Sequence, residues 1–304
     1  MCPWRLAAAL LLAHGLAAAA EPLPVRELAA GVFVYQGQSG DIDTATTAAG
    51  GTANIGFIAG ERCVAAIDSG VSRAVGERLL AAIRQHSAKP VCYLILTHAH
   101  IDHVFGAAAF RDAGATLVGH RRLPVSLSAR ARTYLNFLQR ELGDTAELVL
   151  PTLLVEDRLE LDLGNRRLLL RALPTGHTDA DLIVEDAATG TLWLSDVLFA
   201  EHIPALDGSI LGWIASLVEL RARDGIRFIP GHGPAPAPLP EAINRQINYL
   251  ERLVREVRTA IKQRRTIQEA VDSVASDELT RWVEADRFHR RNLTATYAEL
   301  EWED

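Results

Sequence analysis

Val91-Cys92-Tyr93-Leu94-Ile95-Leu96-Thr97-His98-Ala99-His100-Ile101-Asp102-His103 is the stretch that decides how this chain is read. Its first six residues are a continuous apolar run, the pattern of a strand in a sheet covered on both faces. Three imidazoles and a carboxylate follow within residues 98–103. Packing gives no reason to end a buried strand in such a cluster. Histidine is the commonest side-chain metal ligand, and imidazole with carboxylate is a donor set that zinc accepts. The expectation is a metal-dependent active site at a strand end.

Outward from this stretch, strands and helices alternate. Val32–Tyr35, Asn54–Ile58 and Cys63–Ile67 read as strands. Val71–Gln85 has helical spacing through Val75, Leu79, Leu80 and Ile83. Ala107–Ala113 reads as a helix, Thr116–Val118 as a strand, and Ser128–Leu142 as a helix outside the alternation. Leu148–Leu173 predicts two or three strands with Gly164-Asn165 as a turn. Leu182–Val184 and Thr191–Leu194 predict a hairpin. Leu211–Arg223 reads as a helix, Ile226–Ile229 as a strand, and Pro240–Gln263 as a long amphipathic helix. Gln38–Ala53, rich in Gly, Thr, Ala and Asp, reads as a loop, either a lid over the site or a disordered surface segment. The fold class is α/β.

Residues 1–20 differ from the rest. One positive charge, Arg5, precedes an uncharged Ala/Leu run, and Ala18-Ala19-Ala20 meets Glu21 as at a small-residue cleavage site. We read 1–20 as a signal peptide and 21–304 as one domain, periplasmic or secreted; the alternative is an uncleaved anchor. With Arg5 gone, 30 Lys+Arg face 38 Asp+Glu, and the net charge of −7 becomes −8. That disfavours nucleic acid and anionic membrane surfaces as partners. No later segment is apolar enough to span a bilayer. Cys63 and Cys92 remain after cleavage. They could meet if their strands are level, but the adopted reading is two buried thiols.

Four further apolar runs end in polar residues: Asp68-Ser69-Gly70, Thr175-Gly176-His177, Ser195-Asp196 and Gly231-His232. With the His-x-His-x-Asp-His motif at 98–103, in this order, the chain resembles the metallo-β-lactamase superfamily over nearly its whole mature length. The resemblance implies a four-layer αββα fold, two mixed β-sheets sandwiched between helices, and a two-metal site. By position His98, His100 and His177 would hold one metal, Asp102, His103 and His232 the other, and Asp196 would bridge them. Asp102 is also the carboxylate assigned a catalytic part. Two zinc ions are expected, and iron is compatible with the same donors. A metal-bound water with pKa near 7 would supply hydroxide to attack a carbonyl or phosphoryl centre of a small-molecule substrate. Asp68 is expected to orient the metal loop, His120 and His202 to be surface or supporting residues, with His202 the better placed to face substrate. His86 and His289 are assigned to solvated helix faces, and His14 leaves with the signal.

A β-lactamase is one reading. Against it, the best-known lactamases carry a cysteine where this chain has Asp196, and a lysine three residues later, where this chain has Phe199. Asp196 resembles the glyoxalase II, lactonase and phosphodiesterase branches. The signal pattern, His103–Ala108, Ile203–Ser209 with Gly212-Trp213, and Arg290–Leu293 with Tyr297–Glu301 resemble the exported quinoprotein relay system zinc metallohydrolases. That resemblance implies a periplasmic quinoprotein dehydrogenase system as partner and hydrolysis of an ester, thioester, lactone or related bond. A non-catalytic metal-binding partner of such a redox system is the reading from a different class.

Overall fold

The computed structural model describes residues 20–223 and 227–303. The leader, apart from Ala20, lies outside the described residues, as do His14 and Ile226.

The first half runs β1 (Arg26–Ala29), β2 (Val32–Tyr35), α1 (Thr44–Ala49), β3 (Ile55–Ala59), β4 (Val64–Ile67), α2 (Arg73–His86), β5 (Val91–Leu96), α3 (Ile101–Val104), α4 (Ala107–Asp112), β6 (Thr116–His120), α5 (Leu123–Leu142) and β7 (Leu153–Val155). The second runs β8 (Arg158–Asp162), β9 (Arg167–Ala172), β10 (Leu182–Asp186), β11 (Thr191–Phe199), α6 (Ile210–Arg221), β12 (Arg227–His232), α7 (Glu241–Lys262), α8 (Ile267–Ser273) and α9 (Ala285–Leu300), with a 3-10 turn at Ser276–Thr280 before the last helix. β1 to β7 form one sheet in sequence order, and β12-β11-β10-β9-β8 form the other. Both are mixed: β4 to β7 pair in parallel and β11 pairs in parallel with β12, while the remaining ladders are antiparallel.

The period-2 geometry of strands builds the layers. Along β4, Val64 and Ala66 face α2 and α4, while Cys63, Ala65 and Ile67 face the opposite sheet. β5 repeats the pattern, with Leu94 and Leu96 outward and Ile95 inward. Along β11, Leu192 and Leu194 pack on α6 and α7, and Trp193 sits between the sheets. Residues that alternate in sequence but are apolar throughout therefore serve two cores at once. This is the four-layer αββα arrangement. Among the described residues no helix is long and apolar enough to cross a membrane.

Several local readings are corrected. The 38–53 segment is not all loop. Asp43 accepts a hydrogen bond from Thr46 N at 2.8 Å and its own N–H donates to Thr46 Oγ1, a reciprocal cap that starts α1 without any apolar periodicity. α5 begins at Leu123, not Ser128; Pro124 in its first turn is compatible with a helix start, and Leu123 and Leu127 bury one turn apart. Cys63 and Cys92 form a disulfide with a Cα–Cα distance of 5.7 Å, where free thiols were expected. The β4–β5 register shifts between Val64↔Val91 and Ala65↔Tyr93, which brings the two cysteines alongside. His289 is buried, with Nδ1 3.1 Å from Tyr249 Oη and Nε2 3.2 Å from Val274 O, so it is a core residue of α9 and not a solvated one. His86 is exposed, its ring resting on Phe33.

His120 is also buried, contrary to a surface role. Its Nδ1 accepts a hydrogen bond from Arg122 N at 3.0 Å, which requires an unprotonated nitrogen. Burial, then Arg122 and Arg121, push its pKa down to about 4 against a weaker opposing pull from Asp179. A depressed histidine contributes stability that is full above its unfolded pKa and is lost as pH falls toward the folded value. Lowering pH from 7 to 5 is expected to lower stability through this group by about 1 kcal/mol, the shift being discounted for solvent screening of the ring. His120→Gln should flatten that part of the profile in denaturant melts run across the range.

Candidate metal centre

The ends of β4, β5, β9, β11 and β12 come together at one edge of the sandwich. β5 delivers Thr97 and His98. His100 is the N-cap of α3, whose single turn presents Asp102 and His103. His177 follows β9, and His232 is the last residue of β12. Asp196 departs from expectation: it lies inside β11, not beyond it. Val197, Leu198 and Phe199 are buried and prolong the strand, while Ser195 takes φ +48° and the register to β12 breaks on either side of it. A bulge turns the carboxylate inward without ending the strand.

The seven residues fall into two groups, His98/His100/His177/Asp196 and Asp102/His103/His232. Asp196 faces both. Its Oδ2 lies 3.5 Å from His177 Nε2, 3.7 Å from His98 Nε2 and 3.4 Å from His232 Nε2; its Oδ1 lies 3.1 Å from His103 Nε2. His98, His103, His177 and Asp196 are almost wholly removed from solvent.

Proton accounting shows what this cluster is built to hold. His103 Nδ1 donates to Asp68 Oδ2 at 2.9 Å, His177 Nδ1 donates to Ala205 O at 2.7 Å, and His100 Nε2 donates to Asp207 Oδ2 at 3.2 Å. His98 Nδ1 lies 3.0 Å from Thr97 Oγ1, which can donate to Asp68 and accept from the ring. A neutral imidazole with one nitrogen protonated presents a lone pair on the other. The remaining nitrogens point at one another: His98 Nε2 and His177 Nε2 lie 3.1 and 2.9 Å from His100 Nδ1. Lone pairs facing lone pairs, beside a carboxylate, are favourable only around a shared cation. His103 Nε2 and Asp196 Oδ1 are buried with no hydrogen-bond partner, and such orphans are rare unless something else satisfies them. The donor set fits metal.

The electrostatics agree. Burial, then neighbouring imidazoles, push His177 down to about 3 and His98 well below its usual value, so both are neutral and ligand-competent at pH 7. Burial raises Asp196, but His232, His103 and His98 outweigh it and hold the carboxyl ionised. His103 and His232 are depressed by burial yet end up raised, chiefly by Asp196. That half of the site attracts positive charge.

The supporting contacts explain why these strand ends are polar. Asp68, with φ +57°, accepts from Thr97 N at 2.9 Å and Ser195 Oγ at 3.1 Å as well as from His103. Orienting carboxylates of this kind tune metal affinity. Asp68→Asn is expected to weaken metal binding about 10–100-fold, measured by competition with a chromophoric chelator, with the far-UV spectrum unchanged. Asn54 Nδ2 donates to Pro230 O and Gly233 O at 2.8 and 3.0 Å, and its N–H donates to Gly231 O, fixing the turn that carries His232. Burial pushes Asp181 up to about 7 although Thr178 donates to it, and that bond shapes the His177 turn.

A cavity of about 540 Å³ opens over the cluster, lined in part by Ile42, Thr52, Tyr134, Phe137, Phe199 and Phe288. Thr52 Oγ1 donates to Asp102 Oδ2 at 2.9 Å, tying the 38–53 segment to the centre. His202 lines this cavity and meets Ser39 Oγ at 2.8 Å.

The sequence reading missed Asp207, Arg130 and Arg291. Asp207 Oδ2 accepts from Arg130 Nη2 at 2.9 Å and its Oδ1 from Arg291 Nη2 at 3.0 Å. Asp207 lies within the 203–209 stretch already singled out and Arg291 within 290–293, and the first packs on the second and on 297–301. Asn292 Oδ1 accepts from Leu206 N at 2.9 Å, and Glu299 accepts from Ser209 Oγ and Ile210 N at 2.7 Å each.

The model of one protein family, described as the Metallo-beta-lactamase superfamily, matches residues 48–232, more than half of the chain and every residue of the cluster. The chain belongs to the metallo-beta-lactamase superfamily. Members of this superfamily are generally hydrolases. The chain is 23% identical over 194 residues to the Beta-lactamase-like protein 2 homolog of Caenorhabditis elegans, a match covering 64% of this chain and 57% of that protein. It thus spans less than two thirds of that relative. Superfamily folds in solved structures are similar: a metallo-beta-lactamase from Pontibacter korlensis (TM-score 0.61, 16% identity, 75% of this chain and 98% of that one) and one from Erythrobacter litoralis (TM-score 0.55, 20% identity, 75% and 95%). At these identities the likeness is one of fold. The chain thus has the metallo-β-lactamase fold and a pair of His/Asp groups that could hold two metal ions.

Proposed function

We propose that the chain is a binuclear zinc hydrolase of a small-molecule ester, thioester, lactone or related substrate, exported to the periplasm and serving a quinoprotein dehydrogenase system. The observation that carries the hydrolase reading is the convergence of seven donor residues in two groups that share Asp196. A structural zinc site is normally a closed set of four donors. Imidazole and carboxylate donors suit zinc. Export is supported by the leader pattern at 1–20 and by the Cys63–Cys92 disulfide, which persists in oxidising compartments. The link to quinoprotein systems is supported by the 203–209, 290–293 and 297–301 stretches, which meet beside the cavity.

Two bound zinc ions would supply Lewis acidity and a hydroxide nucleophile at neutral pH. The protein's own contributions are positional. Asp68, Asp207 and Ala205 O each accept the outward proton of one imidazole and so fix its tautomer and angle. Asp102 turns Oδ2 toward His232 at 3.4 Å, and His103 and His232 lower its pKa against its burial. It therefore stays ionised and is assigned to steering water by hydrogen bonding as well as to metal. The aromatic walls beside the cluster are of low polarity, which strengthens the charge interactions next to them.

The test is hydrolysis of a matched panel of thioester, lactone, β-lactam and phosphodiester by zinc-loaded protein. Turnover of a thioester or lactone supports this reading, and β-lactam turnover alone replaces it with a lactamase. No turnover by protein holding two zinc ions per chain would favour a non-catalytic metal-binding partner.

A further inference from the structure

The chain is acidic overall, with a net charge of −7, yet three arginines line the cavity above the cluster, where they meet Asp207 and Glu284. Arg130 comes from α5, and Arg287 and Arg291 from α9. Arg287 is committed: it donates to Gly40 O and pairs with Asp41 and Glu284. Arg130 and Arg291 share one carboxylate, each donating to a different oxygen of Asp207; Arg130 Nη1 is also taken up by Ser126 O and Oγ at 3.2 and 2.7 Å, which leaves Arg291 as the arginine with an open fork. Two guanidiniums on one carboxylate leave a surplus positive charge. Each guanidinium has five N–H donors in a fixed fork that matches a carboxylate. Arg291 uses one of its nitrogens on Asp207, and its side chain is 56% exposed. The surrounding surface, Ile42, Ile101, Tyr134, Phe137 and Phe288, is apolar. Asp207 also holds His100, so this charge pair is built into the frame of the metal cluster.

We propose that the substrate is an apolar-bodied carboxylate whose carboxylate seats on Arg291, beside the Arg130–Asp207 pair, while its scissile group lies over the metal cluster. This rests on the hydrolase reading for the position of the cleaved bond. The single surplus charge favours a monoanion, since a second negative charge would meet Asp207 and Glu284 on the same wall. The guanidiniums come from two helices far apart in sequence, α5 and α9.

The test is equilibrium binding, read by calorimetry, of 4-phenylbutyrate against its neutral isostere 4-phenylbutyramide. Zinc-loaded protein is expected to prefer the carboxylate about tenfold, the difference one charge-assisted bidentate pair supplies. Arg291→Gln should reduce the preference to under about threefold, and Arg291→Lys, which keeps the charge but not the fork, should retain an intermediate value. Zinc-depleted protein should keep the preference. An unchanged preference in Arg291→Gln, or one that vanishes with the zinc, overturns the proposal, because the metal would then be holding the carboxylate. Binding is read without turnover. A panel with no hydrolysis therefore counts against the proposed function alone, and loss of the carboxylate preference counts against this inference alone.

Discussion

Asp196→Ala is expected to lower kcat/KM by at least about a thousandfold and to reduce bound metal from two ions to at most one. Asp196 offers Oδ1 toward His103 and Oδ2 toward His98, His177 and His232, and it is the single carboxylate that faces both donor groups. Removing it takes one donor from each side and the negative charge that offsets two cations in a buried site. Several kilocalories per mole of transition-state stabilisation at a metal centre correspond to that loss in rate. The same variant separates function from folding. Without metal, Asp196 is buried against His103 and His232, whose positive charge it attracts, so the variant also loses those pairings and each melt must be referred to its own metal-free protein. The rise in Tm on adding zinc, measured from each metal-free protein, should shrink in Asp196→Ala. Metal content by mass spectrometry, steady-state rates and paired melts check all three. Two ions per chain with a rate within tenfold of the parent would refute the bridging role.

Gly231→Ala is expected to damage the centre almost as severely without touching any donor. A Cβ built on Gly231 would lie 1.8 Å from Asp196 Oδ1 and 2.7 Å from both Asp196 N and Ser195 C. Two of these are backbone atoms of β11, so no side-chain rotation relieves the clash. Gly231 also sits where β12 pairs beside the Ser195 bulge, and its carbonyl is held by Asn54 N at 2.7 Å. Either the β11–β12 ladder opens or the Asp196 carboxylate swings away. Overpacking of this kind typically costs about 1–3 kcal/mol, measurable by urea denaturation. The loss of zinc affinity should exceed that of Asp68→Asn, because one methyl disturbs the residue common to both donor groups. Zinc titration with a competing chelator compares the two variants directly.

The metal motif was legible because it is local. His98, His100, Asp102 and His103 lie within one strand end and one helical turn, and imidazoles packed so closely after an apolar run have little other use. His177 and His232 were legible through the same strand-then-polar pattern. Asp196 was named, but its setting was misread, since a bulge with a positive φ at Ser195 leaves no mark in the hydrophobic pattern. Asp68 was placed correctly as a positioning group, and the structure adds its partners. The capping box at Asp43 and Thr46 was readable in principle, but a helix of six residues has too little periodicity to declare itself. His289 was misplaced on a solvated face, and His120 was left between a surface and a supporting place, because burial of a polar side chain depends on a neighbour, Tyr249 Oη or Arg122 N, that only the fold identifies.

By itself the sequence determined the α/β class, the order of strands, and the donors that meet at one edge of the sandwich, because each rests on short-range periodicity or on the end of a single strand. Tertiary structure alone decided the rest. The disulfide depends on the register of two parallel strands, and the pairing of Asn292 with Leu206 on the docking of α9. The arginine-lined wall depends on Arg130 and Arg291, 161 residues apart in sequence, converging on Asp207. Such contacts are set by how layers pack. A chain encodes that packing through the summed burial of many residues, and no local pattern records which distant side chains will face one another.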